Sequence, residues 1–351
     1  MAAFRTKFCS GRKNKNLSQK EPYLYGSFFV IKLTFSKNLF VTLCFTAFYK
    51  NMFVDAIEEV GRFTRPIQFI SRNYNENIVT AGAATMFFVN EFSCAVTCKH
   101  VIDLIGNRSN INQKYADFKR ERSAIPRTGG VPHQQYQKFI KGLENKYDYT
   151  PETIVELNER FLDCTADPTL RFRWINHPKY DLAIIIFEQF QKPLYQSYAR
   201  FTKDSSVLKQ GKSLCRLGYP FPEFTNFQYN AEVDEISWTN NGIIGTPRFP
   251  IDGMLTRHLV ENNELYGVEL STPGLRGQSG GPLFDRNGVV CGMQSKTNAL
   301  HLGFDMHNAS HNVNGKTIKV NNQPFLHVGH SIHVDVIKSF LAQNGIKFYE
   351  A

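Results

Sequence analysis

At 351 residues, with 42% hydrophobic and 21% charged side chains, the chain is long enough to bury a core without crosslinks and too apolar to be disordered. Its formal charge of +10 would suit a polyanion partner, but residues 1–51 hold nine Lys or Arg against Glu21 alone, so the remainder is close to neutral. A nucleic-acid partner is therefore not expected, since neither a basic stripe nor a recognised binding motif is present.

The first 51 residues stand apart: a basic, Asn-rich start precedes two apolar runs, 23–31 and 39–49. Neither run reaches the roughly 20 residues needed to span a bilayer. The segment fits a poor signal or anchor, an ordered extension, or sequence upstream of a start at Met52. The last two are favoured, because Met52 opens ordinary sequence and the thiols beyond it suit a reducing compartment. A cytoplasmic location follows as the expectation. Export or membrane anchoring through residues 23–49 is the alternative, and membrane contact is expected only in that case. Seven cysteines without recurring spacing do not form a disulfide framework. Cys94 and Cys98, four apart on a strand, would lie roughly 13 Å apart, too far for a shared metal or a disulfide.

From about residue 78 the pattern turns to short β-type runs bounded by turn residues: 80–89, 92–97, 182–187, 213–218, 265–270 and 289–294. That spacing predicts a barrel or sandwich rather than alternating βαβ units. Asp285-Arg286-Asn287-Gly288 predicts a hairpin, because Asn-Gly tolerates positive φ. A polar insertion at about 105–174 carries a helical signal, with Thr150 as cap, Pro151 at the first helical position, and Ile154, Leu157 and Phe161 on one face. A closing helix is predicted from about Asp335, with Val336, Ile337, Phe340 and Leu341 as its apolar stripe and Gly345 at its C-terminal end.

Three elements carry chemistry. In Gly277-Gln278-Ser279-Gly280-Gly281-Pro282, glycines on both sides of a serine permit a bend that aims backbone amides at a substrate. The amides of Gly277 and Ser279 are the natural donors to an oxyanion. A serine hydroxyl needs a base, and of ten histidines His100 stands out, following the β-rich run 92–97 and preceding Val101-Ile102. The base needs an orienting carboxylate, and Asp181 lies directly before the apolar run 182–186, where an ionised group demands partners. Taken singly, each could be a turn serine, a structural histidine or a strand-capping aspartate. Together they fall in the order His, Asp, Ser, which excludes the α/β-hydrolase arrangement.

These segments resemble the trypsin-like, chymotrypsin-fold serine peptidases. Thr97-Cys98-Lys99-His100 is similar to their Thr-Ala-Ala-His motif, Asp181-Leu182-Ala183 to Asp-Ile/Leu-Ala, and 277–282 to Gly-Asp-Ser-Gly-Gly-Pro. The likeness covers about residues 78–344. The nearest subgroup is the disulfide-free bacterial, HtrA-like one, without its PDZ module. The resemblance implies an all-β fold with helical additions: two six-stranded antiparallel β-barrels and a C-terminal helix, within a peptidase domain of residues 52–351. It implies peptide-bond hydrolysis through an acyl-enzyme, protein or peptide substrates, and no cofactor or metal. Oligomeric state is not addressed.

By the same resemblance Ser295 would hydrogen-bond near Asp181, and Pro273, Arg276, Gln294, Ser295, Lys296 and Thr297 would line the primary specificity pocket. Gln278 stands where secreted members carry the aspartate that pairs with a newly cleaved N-terminus, which argues against that activation. Pro273 stands where trypsin carries aspartate, which argues against a preference for Lys or Arg. Arg276 and neutral Gln294 point to an uncharged or acidic preference. His327, His330 and His333 fall on a predicted strand, where a three-residue spacing alternates faces, so zinc is not expected. The alternative function is a catalytically silent relative that binds a peptide or protein in the same cleft.

Overall fold

The computed structural model describes residues 27–35, 39–47, 52–125, 133–166, 171–189 and 192–351. The chain divides into two units, Met1–Met52 and Phe53–Ala351. In the first, β1 (Ser27–Phe35) and β2 (Leu39–Ala47) pair antiparallel, with Ser27 opposite Ala47. The basic start lies outside the described residues. Among those described, no helix is long and apolar enough to cross a membrane.

The second unit opens with α1 (Val54–Gly61), then β3 (Thr64–Asn73), β4 (Val79–Phe88) and β5 (Cys94–Thr97). Two helices follow, α2 (Lys99–Ala124) and α3 (His133–Tyr147), before β6 (Ile154–Phe161), β7 (Arg171–Asn176) and β8 (Ala183–Glu188). These strands form one antiparallel sheet in the order β6-β3-β4-β5-β8-β7. Its two ends meet through the rings of Phe161 and Phe172, edge to face at 4.9 Å, so the sheet curls toward closure. β5 is buried along its whole length, and β8 in all but its last residue. Within β8, Ala183–Phe187 reads as an unbroken apolar run because neither face meets water.

The remaining elements are β9 (Arg200–Phe201), β10 (Ser213–Gly218), β11 (Phe227–Asn230), β12 (Glu235–Trp238), β13 (Phe249–Glu261), β14 (Glu264–Leu270), β15 (Pro282–Phe284), β16 (Val290–His301), β17 (Met306–Val313), β18 (Lys316–Asn322), β19 (Phe325–His333), α4 (Val334–Gln343) and β20 (Tyr349–Glu350). The order β15-β10-β13-β14-β19-β16, with β16 pairing back onto β15, closes six antiparallel strands into a barrel. Buried side chains of both barrels, from Phe87, Val96 and Ile184 to Leu217, Leu283 and Met293, form one continuous core. The expected mostly-β architecture with a C-terminal helix is the one observed. Asp285 Oδ1 accepts from the amides of Asn287 and Val289, and Gly288 has a φ of 76°, completing the predicted β15–β16 turn.

The insertion differs from expectation. Residues 150–161 do not form a helix: Thr153 N donates to Thr150 O at 2.9 Å, so Thr150-Pro151 opens a tight turn, and Ile154–Phe161 is strand β6, paired with β3. Proline at the second position of a turn and at the start of a helix give the same local signal, and pairing with β3 decides between them. The helical material lies earlier, in α2 and α3. These are fixed to the barrel by a separate apolar cluster of Tyr74, Tyr115, Phe118, Leu143, Tyr149 and Val155.

Candidate active site

β5 ends at Thr97 and α2 begins at Lys99, which places His100 in the first turn of a helix rather than at a bare strand end. Cys98, preceding the helix, contributes no side-chain cap. Instead the His100 amide donates to Asp181 Oδ1 at 3.0 Å, so a carboxylate from a distant loop caps the positive end of the helix. The same carboxylate holds the imidazole: His100 Nδ1 lies 2.9 Å from Oδ2 and 3.0 Å from Oδ1. Ser295 Oγ donates to Oδ2 at 2.6 Å. Burial alone would raise the Asp181 pKa, but the hydrogen bonds from the His100 ring, Ser295 and the His100 amide outweigh it and bring it down to about 2. An ionised carboxylate only accepts, so Nδ1 is the protonated nitrogen turned to Asp181, and Nε2 is left outside this network.

The serine sits on a loop held from both barrels. Gln278 N donates to Leu275 O at 3.0 Å, and Gly277, at the third position of that turn, has a φ of 92°. A Cβ on Gly277 would stand 2.4 Å from the Tyr219 carbonyl oxygen, so the position is restricted by space as well as by φ. Gln278 is fully buried; its Oε1 accepts from Leu275 N and its Nε2 donates to Phe249 O, both at 3.0 Å. From the first barrel, Thr85 donates its amide to Ser279 O at 2.9 Å and its hydroxyl to Gly277 O at 2.6 Å. From the second, Gly280 N donates to Gln294 O at 2.8 Å. Among the described residues the amides of Gly277 and Ser279 have no acceptor, leaving two unengaged donors on the loop. Ser279 Oγ donates to Ser295 O at 3.3 Å and not to His100.

His100, Gly277 and Ser279 line one cleft with Arg276, and His100 and Asp181 line a second with Tyr180 and Lys296. The two clefts meet at the imidazole. Thr297 Oγ1 donates to Gly274 O at 2.7 Å, and Gln294 Nε2 donates to Lys296 O at 3.0 Å, while Arg276 and Lys296 are exposed. Pro273 O accepts from Arg216 Nη2 at 3.1 Å.

The residues that the sequence motifs single out thus converge, but two members of the site lie outside those motifs. Thr85 gives no signal within its strand. Arg216 does: it is a lone charged residue in the apolar run of β10, and it is completely buried beside Gln294, Thr272 and Pro273. Cys98, His100 and Asp181 bring metal-type donor atoms within 4.8 Å of one another. The Cys98 thiol, pushed well up by burial and then by the charge of Asp181, stays protonated and donates to Gln294 O at 3.3 Å. This donor set serves the hydrogen-bond network. Of the histidines 327, 330 and 333, the last two are buried and the first exposed; His330 Nε2 is 3.2 Å from Glu269 Oε2, and His333 Nδ1 accepts from Asp335 N at the start of α4.

Barrel pair and site together define the chymotrypsin-like class. Residues 84–293, more than half of the chain, match the trypsin-like peptidase domain, and the chain belongs to that family. Its five described cysteines, Cys94, Cys98, Cys164, Cys215 and Cys291, are free thiols. Among solved structures, the active form of the Rv3671c protease from M. tuberculosis is similar at 12% identity and a TM-score of 0.40, over 84% of this chain and 86% of that one. No curated protein matches the chain.

Proposed function

We propose that this chain is a serine endopeptidase in which Ser279 attacks a peptide carbonyl and forms an acyl-enzyme. His100 Nε2 takes the hydroxyl proton and passes it to the leaving amine; Asp181 holds the ring through Nδ1 and balances the imidazolium. The carbonyl oxygen, as it gains charge, is received by the amides of Gly277 and Ser279. A turn about the Cα–Cβ bond of Ser279 exchanges the Ser295 carbonyl for the imidazole as proton acceptor, a tightening expected on substrate binding.

The observation that carries this reading is the His100–Asp181–Ser295 network beside a serine whose own amide and that of Gly277 are unengaged. The test is labelling of the purified chain with a fluorophosphonate probe. Labelling that disappears in Ser279→Ala supports the proposal. No Ser279-dependent labelling, under conditions that label other serine peptidases, would favour a silent binding module.

A further inference from the structure

The two clefts that meet at His100 differ in chemistry. The one that holds Asp181 carries the charged side chains of Lys179, Glu261 and Lys296 beside its aromatic ones. The one that holds Ser279 has a volume of about 290 Å³, and among the described residues His100 and Arg276 are its only ionisable lining groups. Its other walls are largely apolar: Phe69 of β3, Gly82 of β4, Ile154 and Leu157 of β6, and Val101 and Leu104 of α2. Phe69, Leu157 and Val101 belong to the buried core and form a fixed base. Leu104 and Ile154 are exposed, at 37% and 38%, and leave apolar surface in water.

The register of the sheet accounts for the opening. Phe69 pairs with Gly82, and Ser71 pairs with both Thr80 and Leu157, so these residues share one face. A Cβ on Gly82 would meet nothing nearer than Phe69 Cβ at 3.9 Å, and the φ of Gly82 is not positive. Neither backbone nor crowding therefore requires glycine here. Its effect is to leave the face beside Phe69 uncovered.

We infer that this cleft binds an apolar side chain, leucine or phenylalanine, on the residue after the scissile bond. The inference rests on the endopeptidase reading above, in which His100 passes a proton to the leaving amine. The ring nitrogen free to do so is the one not turned to Asp181. Asp181 lines only the other cleft and Ser279 only this one, so the leaving half of the peptide lies over the apolar walls. A leucine or phenylalanine entering there takes Leu104 and Ile154 out of water along with itself. An amide or charged side chain gives up its hydration to walls whose polar side chains, apart from His100 and Ser279, are Ser71, Thr80 and Arg276.

The test uses the full chain, its Ser279 titrated with the fluorophosphonate, on a mixed-sequence peptide library. One cleaved sequence is then remade with only the residue after the cut varied (Leu, Phe, Gln, Asp, Lys). The expected kcat/KM for Leu or Phe is about tenfold or more above that for Gln, Asp or Lys. Gly82→Leu, which fills the cleft, is expected to remove that advantage while the probe still labels Ser279. Leu104→Asp, a second variant at an exposed helix position, is expected to raise Lys relative to Leu by about tenfold. Cleavage without an apolar preference at this residue, or with one that is unchanged in a labelled variant, overturns this inference and leaves the endopeptidase reading intact. No cleavage of any sequence overturns both.

Discussion

Two buried arginines, one in each barrel, have opposite surroundings. Arg72 on β3 is 2% exposed, with Nε 2.6 Å from Glu156 Oε2 and Nη2 2.8 Å from Asp234 Oδ1, and its guanidinium lies over the rings of Tyr115 and Tyr229. Burial works against its charge, but Tyr115 and Glu156 outweigh burial and raise its pKa above the usual range. Arg216 on β10 is fully buried among uncharged acceptors, and its pKa falls. Asp181 resembles Arg72: a charge out of bulk water surrounded by matched partners. The difference separates two uses of a buried charge. A matched charge is held by partners that favour it, whereas an unmatched one carries a desolvation cost that neutral acceptors offset only in part.

The largest effect is expected where a matched charge also orients a reacting group. Asp181→Asn keeps the shape but must donate where the carboxylate only accepts, which selects the wrong imidazole tautomer. A fall in kcat of about 10⁴ is expected, with the fold retained by circular dichroism. A loss of tenfold or less would show that Ser295 and the helix start hold His100 well enough alone. Next comes Arg72→Met, which strands Glu156 and Asp234 without their cation. Unfolding in urea should show a loss of about 3–5 kcal/mol. A smaller change would mean that Arg122, 2.9 Å from Asp234, and Tyr115, 2.8 Å from it, already neutralise the site.

What the sequence revealed follows the same division. That Ser279, His100 and Asp181 lie together was legible because the chemistry proposed for them requires fixed residue types in short motifs, and β10 and the β15–β16 turn because their signals are local. β6 was misread as helix: Thr150-Pro151 has the local form of a helix start, and only the pairing of Ile154–Phe161 with β3 resolves it. The place of His100 inside α2 was likewise hidden, since its helix is capped by Asp181, 81 residues away. The roles of Thr85 and Arg216 depend on partners 192 and 78 residues distant, Gly277 and Gln294. No spacing rule reaches that far.

The smallest effect is expected for Arg216→Met on stability, and this sharpens the comparison most. Two terms of similar size oppose each other. Removing the guanidinium ends the cost of holding an unpaired charge in low dielectric, which favours the variant. It also leaves Gln294 Oε1 and the carbonyls of Thr272 and Pro273 short of a donor, which disfavours it. Methionine is flexible enough to occupy the slot between Gly329 and the strand without strain. The net change in urea unfolding should stay within about 1 kcal/mol of zero, well below that of Arg72→Met. A loss as large as the Arg72 one would assign Arg216 to holding Gln294, Thr272 and Pro273 together, and the two buried charges would then be alike.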